Sequence, residues 1–330
     1  MEKDTSKAGI SRRKLVLAAA GAGLAAASPA SQAAAVTRII VGFPAGQATD
    51  IVARLLADKL AAVTGAHYIV DNRPGQGGSL GMGVLAKSPA DGSTMMLTHM
   101  SAVATNPFMY KSVPYDSLKD FEAVGLLGDL PFVLVCNPSL PFDNIQDMVK
   151  YAKANPGKLT NASSGNGTVS HLAMETFKRR AGIQMQHVPY KGSGPDLTDV
   201  VAGEVSVALE TAVSVQPFVQ SGRLRALGAG TAERLATLPQ MPTIAEQGYK
   251  GFTASTWLML LYPAGTDKQL VQTTFAAMNK AMQTPEVEAR IRQIGAVPRF
   301  SASPAEAAAY VRSEYAYWGD VVKRSNVHLD

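Results

Sequence analysis

Residues 38–65 read RIIVGFPAGQATDIVARLLADKLAAVTG, and they indicate the fold class more directly than any other part of the chain. The apolar, β-branched run Arg38–Phe43 predicts a short strand. Apolar residues then recur at helical spacing from Ile51 to Leu60 and predict an amphipathic helix directly after the strand. A strand that passes through a loop of small residues into a helix is the repeating unit of α/β proteins with parallel strands.

The loop between this strand and this helix has the composition of an anion-binding turn. The segment Gly42–Asp50 is built mostly of small residues, which let a ligand approach the backbone closely. Thr49 or Asp50 is expected to cap the helix, and Gly65 is expected to end it. The amides of the first helical turn then present partial positive charge to an anion. An ordinary βα turn without a ligand is the alternative interpretation.

The same alternation of strand and helix continues towards the C-terminus. Asn155-Pro156-Gly157 and Gly182 end two predicted helices, and Thr243-x-x-Glu246 and Ser303-x-x-Glu306 are capping boxes that each predict a helix start. The fold class is therefore α/β with mainly parallel sheets. The strands are expected at Arg38–Phe43, His67–Asn72, Met95–His99, Phe132–Cys136, Leu159–Ser163, Val205–Glu210, Arg225–Ala229 and Thr256–Tyr262.

The length of 330 residues is typical of about two domains. Two extended apolar segments, near Phe132–Cys136 and Phe252–Tyr262, are suited to run between two lobes as hinge strands. They predict a first lobe formed by residues 36–135 together with 255–330, and a second lobe formed by residues 136–254. Open α/β sheets bind ligands beyond the carboxyl ends of their strands, so we expect the site in the cleft between the lobes.

Composition excludes several classes of protein. Hydrophobic residues make up 46% of the chain and charged residues 17%, a balance typical of packed cores rather than of disorder. The single cysteine, Cys136, excludes an intramolecular disulfide and a cysteine-based metal cluster. The five histidines have neither H-x-x-x-H nor H-E-x-x-H spacing, so we expect no bound metal.

Residues 1–35 have the order of a bacterial export signal. A basic stretch that ends in Arg12-Arg13-Lys14 is followed by the apolar run Leu15–Ala27 and by small residues up to Ala35. The apolar run has about 13 residues, fewer than the roughly 20 that a membrane-spanning helix needs. The basic stretch resembles a twin-arginine signal, and export by the Sec route stays open. We therefore expect a cleaved signal and a periplasmic protein.

The positive charge of the chain lies largely in that segment. The formal charge is +5, and residues 1–35 hold five basic and two acidic side chains, so three of the five charges lie there and two remain. The balance of the remaining chain therefore does not predict nucleic acid or anionic lipid as a partner.

Two other loops are rich in small residues. The loop Asn72–Gly81 lacks the G-x-G-x-x-G and GK[ST] patterns of nucleotide binding and is interpreted as a structural turn. The second loop leads to Thr168, which is expected to cap a helix. Ser164 or Ser170 with His171 offers the alternative of a secreted serine hydrolase, but the G-x-S-x-G elbow is absent. We expect no catalytic residues.

Several short motifs, taken in order, make residues 36–330 resemble the Bug family, the periplasmic solute-binding receptors of tripartite tricarboxylate transporters. Singly these motifs are weak, whereas the ordered set is specific. The motifs are Phe43-Pro44-Ala45-Gly46 through Asp50 and Arg54, Asp71–Gly75 with Gly77-Gly78, Pro89-x-Asp91-Gly92, Pro114-Tyr115-Asp116 with Asp120-Phe121, Ser164–Gly167 with His171-Leu172-Ala173, His187–Gly192, Gly222–Leu227, and Leu238-Pro239-x-Met241-Pro242-Thr243-x-x-Glu246-x-Gly248.

The resemblance implies a periplasmic-binding-protein fold of type II, a Venus flytrap of two α/β lobes joined by two hinge strands. It implies a receptor that captures a small carboxylated solute and delivers it to a tripartite tricarboxylate-type permease. The solute classes are a di- or tricarboxylate, an acidic amino acid or an aromatic acid. We expect a monomer without cofactor or catalytic activity. A ligand-sensing subunit for a two-component sensor kinase is the alternative function.

The resemblance also implies which residues bind the solute. In this family one carboxylate is typically held by backbone amides and ordered waters near the first βα loop rather than by an arginine. By position, the ligand-binding residues of this chain are then Phe43, Ala48, Thr49, Asp50, Thr98, Ser101, Ser164, Gly167, Thr168 and Glu210.

Two positions depart from the family pattern. Gln47 stands where the family usually has a second glycine, so it either alters the size of the pocket or adds a hydrogen bond. Glu210 stands where relatives commonly have aspartate. The longer acid either shrinks the pocket, binds an amino group or repels a second carboxylate, and the sequence leaves these three consequences open.

Overall fold

The computed structural model describes the backbone of residues 36–325 and the side chains as far as Lys323. The predicted export signal, residues 1–35, lies outside the described residues. Within the described part, none of the helices combines the length and the apolar character needed to cross a membrane.

Ten strands in the described residues form one mixed sheet. Their order across the sheet is β2-β1-β3-β9-β4-β7-β5-β6, and β8 and β10 each pair with β4. The strands are β1 (Val36–Val41), β2 (His67–Asn72), β3 (Thr94–His99), β4 (Phe121–Cys136), β5 (Thr160–Ser163), β6 (Gln186–Pro189), β7 (Val207–Thr211), β8 (Arg225–Ala229), β9 (Ser255–Pro263) and β10 (Val297–Pro298).

Helices connect most of these strands, as the alternating sequence pattern predicts. A π-helical turn over Ser101–Thr105 follows β3. The α-helices of the described part are α1 (Ala48–Thr64), α2 (Ser79–Ala86), α3 (Asn106–Met109), α4 (Ile145–Ala154), α5 (Val169–Ala181), α6 (Ser193–Ala202), α7 (Ala212–Gln220), α8 (Lys268–Met282), α9 (Pro285–Gln293) and α10 (Pro304–Ser325).

The two ends of the sheet are parallel and its middle is antiparallel. Strand β1 runs parallel to β2 and β3, and β5 runs parallel to β6 and β7. Every antiparallel pair in the described residues includes β4 or β9. The parallel βα units thus form two groups, and two long antiparallel strands join them, as in a two-lobed α/β protein.

Strand β4 is longer than the predicted segment Phe132–Cys136. It begins at Phe121 because its first part pairs with β9, whereas its last five residues pair with β7 and β8. Gly125, Gly128 and Pro131 interrupt the apolar pattern of the first part, so local composition does not indicate a strand there. Register shifts beside the two glycines accommodate them within the ladder.

The first βα unit packs as its sequence pattern predicts. Val52, Leu56 and Leu60 form the buried face of α1 and share one apolar cluster with Ile39 and Val41 of β1. Complete burial of a leucine side chain contributes roughly 1.5–3 kcal/mol to stability. The carboxyl end of β1 and the first turn of α1 are thereby held in a fixed relation, which determines where the connecting loop lies.

Two predicted helix starts differ from the structure. The N-cap of α1 is Gln47 rather than Thr49 or Asp50, since the helix already begins at Ala48. The capping box of Thr243 and Glu246 forms both of its hydrogen bonds, at 2.6 and 3.0 Å, but leads only into a turn. The predicted helix ends at Gly65 and Gly182 are confirmed, and both glycines adopt the left-handed conformation.

Candidate functional site

The loop between β1 and α1 is shaped by a close backbone crossing. A Cβ atom at Gly42 would lie only 2.7 Å from the Cα atom of Gly78, so only glycine fits at this crossing. After the crossing, the chain enters α1 through Gln47, whose side chain makes no capping hydrogen bond. The first amides of an uncapped helix have no partner within the helix. At α1 these amides belong to Ala48 and Thr49, two buried residues.

The predicted binding residue Asp50 holds this loop in place. Its carboxylate accepts hydrogen bonds from the Gly46 amide at 2.8 Å, from Arg54 Nε and Nη2 at 2.9 Å each, and from Asn72 Nδ2 at 2.9 Å. Burial by itself raises the pKa of Asp50, but the hydrogen bonds from Arg54, Gly46 and Asn72 outweigh burial and hold the pKa below its ordinary value. Asp50 is therefore ionised and occupied by protein partners.

The N-terminal ends of four helices meet at one cavity. Ala48 begins α1, Thr168 caps α5, Ser193 begins α6 and Thr211 precedes α7, and all four residues line the cavity. The N-terminus of a helix carries partial positive charge and free amide donors. Four such ends directed at one space favour an anion there without any basic side chain.

The cavity lies where the middle strands of the sheet meet the loops of both parallel groups. It has an empty volume of about 400 Å³, which includes its opening to solvent. Leu130, Phe132 and Thr256 of β4 and β9 contribute to its wall. The described residues that line it are Phe43, Gln47, Ala48, Thr49, His99, Ser101, Leu130, Phe132, Ser164, Thr168, Val169, Ser193, Glu210, Thr211 and Thr256.

Seven of the ten predicted binding residues line this cavity, namely Phe43, Ala48, Thr49, Ser101, Ser164, Thr168 and Glu210. Asp50, Thr98 and Gly167 are buried but are not part of the lining. The Thr98 hydroxyl lies 3.3 Å from the sulfur of Met82, and the Gly167 amide donates to His171 Nδ1. These three residues lie behind the wall rather than in it.

The lining also contains residues that were not predicted, some of them next to predicted ones and some from other parts of the chain. Ser193 and Thr211 lie at starts of helices that look locally like ordinary βα turns, and Thr256 lies in a strand with no polar pattern of its own. His99 is the last residue of β3, and the spacing of the histidines in the sequence does not single it out. The location of these residues in the βα units is the sequence feature that indicates them. Each of Ser193, Thr211 and His99 lies at the carboxyl end of a strand or at the start of the next helix, where α/β sheets bind ligands.

His99 is a neutral hydrogen-bond donor. The Ser101 amide donates to its Nδ1 at 3.1 Å, so the proton of the neutral ring lies on Nε2. Burial lowers the pKa of His99 to about 3. The ring also packs against Phe43, with centroids 4.4 Å apart. His99 therefore brings no positive charge to the cavity near neutral pH.

Gln47 reaches across the cavity from the first βα loop towards the start of α6. A Cβ atom at Gly192 would lie 1.7 Å from Gln47 Nε2, so the glycine leaves room for the amide. Gln47 is 6% exposed, and its Nε2 has no acceptor among the described residues. The sequence predicts that Gln47 either changes the size of the pocket or adds a hydrogen bond. The geometry fits the first, since the side chain narrows the cavity, and its amide nitrogen remains a free donor.

Glu210 brings a carboxylate to the opposite wall. It lies in β7, is 2% exposed, and its Oε1 accepts the Ser164 amide at 2.9 Å. Its neighbour is the carboxyl of Asp196 in α6, which is fully buried and lacks a well-formed hydrogen bond from a described donor. Burial raises the pKa of both groups, and the charge of Glu210 raises that of Asp196 further. Asp196 therefore holds a proton more tightly than Glu210.

The serine and histidine residues of the second loop are engaged in structural contacts. His171 Nδ1 accepts the Gly167 amide at 3.3 Å rather than a serine hydroxyl. His171 stacks on His187, with ring centroids 4.2 Å apart, and His187 Nε2 is 2.6 Å from the hydroxyl of Ser163. Ser163 is fully buried and does not line the cavity. The geometry thus does not pair His171 with Ser164 or Ser170.

Comparison with known proteins places the chain in a family. Residues 52–327 match the model of the tripartite tricarboxylate transporter family receptor. Protein BugT of Bordetella pertussis is 36% identical over 293 residues, which cover 88% of this chain and 90% of the relative. The match covers nearly the whole of both proteins.

Two solved structures with bound ligands have similar folds. Rpa4515 of R. palustris with adipate superposes with a TM-score of 0.84 at 33% identity, over 87% of this chain and 96% of that one. MatC of Rhodopseudomonas palustris with bound malate has a TM-score of 0.80 at 28% identity, over 87% of this chain and 98% of that one. These likenesses agree with the two-lobed α/β architecture described above. By the family match, and by its identity to relatives of nearly equal length, this chain belongs to the tripartite tricarboxylate transporter family of receptors.

Proposed function

We propose that residues 36–330 form a periplasmic receptor that binds a small carboxylated solute and delivers it to a tripartite tricarboxylate-type permease, without making or breaking bonds. One observation carries this proposal: four helix N-termini open onto a single cavity. The adipate and malate bound to two similar proteins support a carboxylate as the ligand class.

The polarity of the cavity supports an anion held by amides. None of the residues that line it is a lysine or an arginine. The amides of Ala48 and Thr49 in α1 have no side-chain cap and need an external acceptor, and the starts of α6 and α7 also have no side-chain cap. A carboxylate placed there gains hydrogen bonds that are charge-assisted and lies in the favourable field of the helix.

We further propose that residues 36–135 and 255–330 form one lobe and residues 136–254 the other. Support comes from the two parallel groups of strands, β1–β3 and β5–β7, which lie on opposite sides of β4 and β9. Since the cavity is lined from both groups, rotation about the two long strands would open and close it. The seven predicted residues that line the cavity and the periplasmic location belong to the same proposal.

The binding of carboxylates to the purified protein, measured by isothermal titration calorimetry, tests the proposal. The decisive variant is Ala48→Pro, which removes one amide from the wall. Proline is favoured at the first helical position, and Gln47 already has the extended backbone that a residue before proline requires. Loss of one hydrogen bond to a charged ligand costs about 1.5–3 kcal/mol, which corresponds to an affinity roughly 10- to 100-fold lower.

Two matched controls separate the amide from the bulk of the ring. Ala48→Val adds a side chain of similar size but keeps the amide, and Lys268→Pro makes the same change at the first residue of α8, which does not border the cavity. Lys268→Pro is expected to bind with the affinity of the unchanged protein, and Ala48→Val is expected to lose less affinity than Ala48→Pro because it keeps the amide. Unchanged affinity of Ala48→Pro, or no binding of any C4–C6 carboxylate by a folded, monodisperse protein, would refute the proposal.

A further inference from the structure

The two walls of the cavity differ in charge. On the wall formed by the first βα loop, the amides of Ala48 and Thr49 have no capping side chain. On the opposite wall, the Ser164 amide already donates to the carboxylate of Glu210 at 2.9 Å. Of the described residues that line the cavity, Glu210 alone is acidic, and His99, the one histidine among them, is neutral near neutral pH. At the Ser164 amide, the second wall therefore supplies an acidic side chain of its own, although the starts of α6 and α7 have no side-chain cap.

The acidic character of the second wall extends behind Glu210. Asp196 is fully buried beside it, and neither carboxyl forms an ion pair with a lysine or an arginine of the described residues. A ligand carboxylate at this end would face two buried acidic groups. Like charges in such a site cannot all be ionised at low cost.

Independent of the acids, free donors line the first half of the cavity. The hydroxyl of Ser101 and the amide nitrogen of Gln47 are buried, and neither has a partner among the described residues. Both residues line the cavity and are 1% and 6% exposed. A buried donor without an acceptor is unfavourable, so these groups point to a ligand that supplies acceptors at this wall.

We propose that the solute is a zwitterion, with its carboxylate on the α1 amides, Ser101 and Gln47, and its ammonium group on Glu210. This inference rests on the proposed function of carboxylate binding. Of the consequences predicted for Glu210, it selects the binding of an amino group together with the rejection of a second carboxylate.

Charge balance favours an ammonium group over a hydroxyl group as the partner of Glu210. The bound carboxylate brings one negative charge, an ionised Glu210 would bring another, and the described residues that line the cavity include no lysine or arginine. Burying two negative charges without a counterion is costly. An ammonium group between the ligand carboxylate and Glu210 provides that counterion. A hydroxyl group would donate a hydrogen bond but leave the charge uncompensated.

Pairs of ligands matched in carbon number test this inference by calorimetry. The pairs are succinate with 4-aminobutyrate, glutarate with 5-aminopentanoate, and adipate with 6-aminohexanoate. In at least one pair, the amino acid is expected to bind at least tenfold more tightly than the diacid. Glu210→Gln, which keeps the size and the acceptor for the Ser164 amide, is expected to lower that affinity at least tenfold and to reduce or reverse the preference.

The control variant is Glu204→Gln, an exposed glutamate outside the cavity lining, which is expected to leave the preference unchanged. Tighter binding of the diacid at every length would overturn the zwitterion inference but leave the receptor function intact. A preference that survives in folded Glu210→Gln would also overturn it. Failure of all six ligands to bind would count against both proposals. If Glu210→Gln does not fold, the comparison within the pairs on the unchanged protein decides.

Discussion

The two walls of the cavity are built from the same local pattern but present opposite chemistry. On one wall, β1 leads through a loop of small residues into α1, and on the other, β5 leads through a similar loop into α5. Gln47 leaves the start of α1 uncapped, whereas the Thr168 hydroxyl accepts the amide of His171 at the start of α5. Beside α5, the Ser164 amide is also taken by Glu210.

This difference shows that a βα loop does not determine its own ligand. The residue that changes the second wall is Glu210, which lies 46 positions after Ser164 and reaches the loop from the neighbouring part of the sheet. No comparable acid is brought to the amides of α1, because Asp50 is turned to Arg54, Asn72 and Gly46. The charge of each wall therefore depends on which acidic side chain lies beside its amides and on the partners that this side chain already binds.

The largest expected effect comes from breaking the anchor of the first wall. Asp50→Ala removes the buried carboxylate that holds Gly46, Arg54 and Asn72. We expect a loss of about 3 kcal/mol in the free energy of unfolding, at the lower end for a broken buried ion pair because Arg54 is about half exposed. Urea denaturation measures it, with the exposed Asp58→Ala of the same helix as a control. A loss within 0.5 kcal/mol of that control would contradict the anchoring role, since about that much is ordinary for surface changes.

An intermediate effect is expected if the first wall is made to resemble the second. Gln47→Asp introduces an N-cap side chain that occupies the first amides of α1. It is expected to stabilise the helix by up to about 1 kcal/mol and to weaken carboxylate binding roughly 10- to 100-fold, because its charge takes the place of the ligand. Gln47→Asn, which caps without charge, is the control and should lose less affinity. Equal affinities for the Asp variant and the unchanged protein would show that ligands do not use these amides.

The smallest effect is expected from relieving the acid pair of the second wall. An acid whose pKa is raised in the folded protein holds its proton more tightly there than in the unfolded chain. Stability is therefore lost as the pH rises above 3.8, the ordinary value for Asp196. Asp196→Asn removes this loss and gives Glu210 a neutral donor.

For that variant we expect a melting temperature about 2–4 °C higher at pH 8, corresponding to roughly 1 kcal/mol, and a smaller difference at pH 5. Differential scanning calorimetry at both pH values measures the change, and exposed Asp58→Asn serves as the control. A melting temperature that falls at pH 8, or a gain that is equal at both pH values, would contradict the prediction. It would mean that ionisation of the Asp196 and Glu210 pair does not destabilise the folded protein.

The βα units could be predicted from local patterns because their causes are local. Strands β2 and β8 have the predicted bounds, and α1 ends at Gly65 as expected, since strand composition and left-handed glycines act within a few residues. The first part of β4 could not be predicted. Its glycines and proline are tolerated only because β9 pairs along it.

The cavity could be predicted in part, because positions at the ends of parallel strands follow from the order of the βα units. The family resemblance implies Asp50 as a binding residue, but its carboxylate is bound by Gly46, Arg54 and Asn72, the last of them 22 residues away in the chain. Ser193, Thr211 and Thr256 reach the lining only through the sheet order and could not be selected by a local signal.

The amino-acid pattern alone establishes an α/β chain with an anion-ready helix start and a family resemblance that the comparisons confirm. It does not establish the charge of the opposite wall. That property depends on the buried Glu210 lying beside Ser164 and Asp196. Burial and proximity, which set the cost of an ionised group, arise only when distant segments pack together, so the tertiary structure decides which solute the site favours.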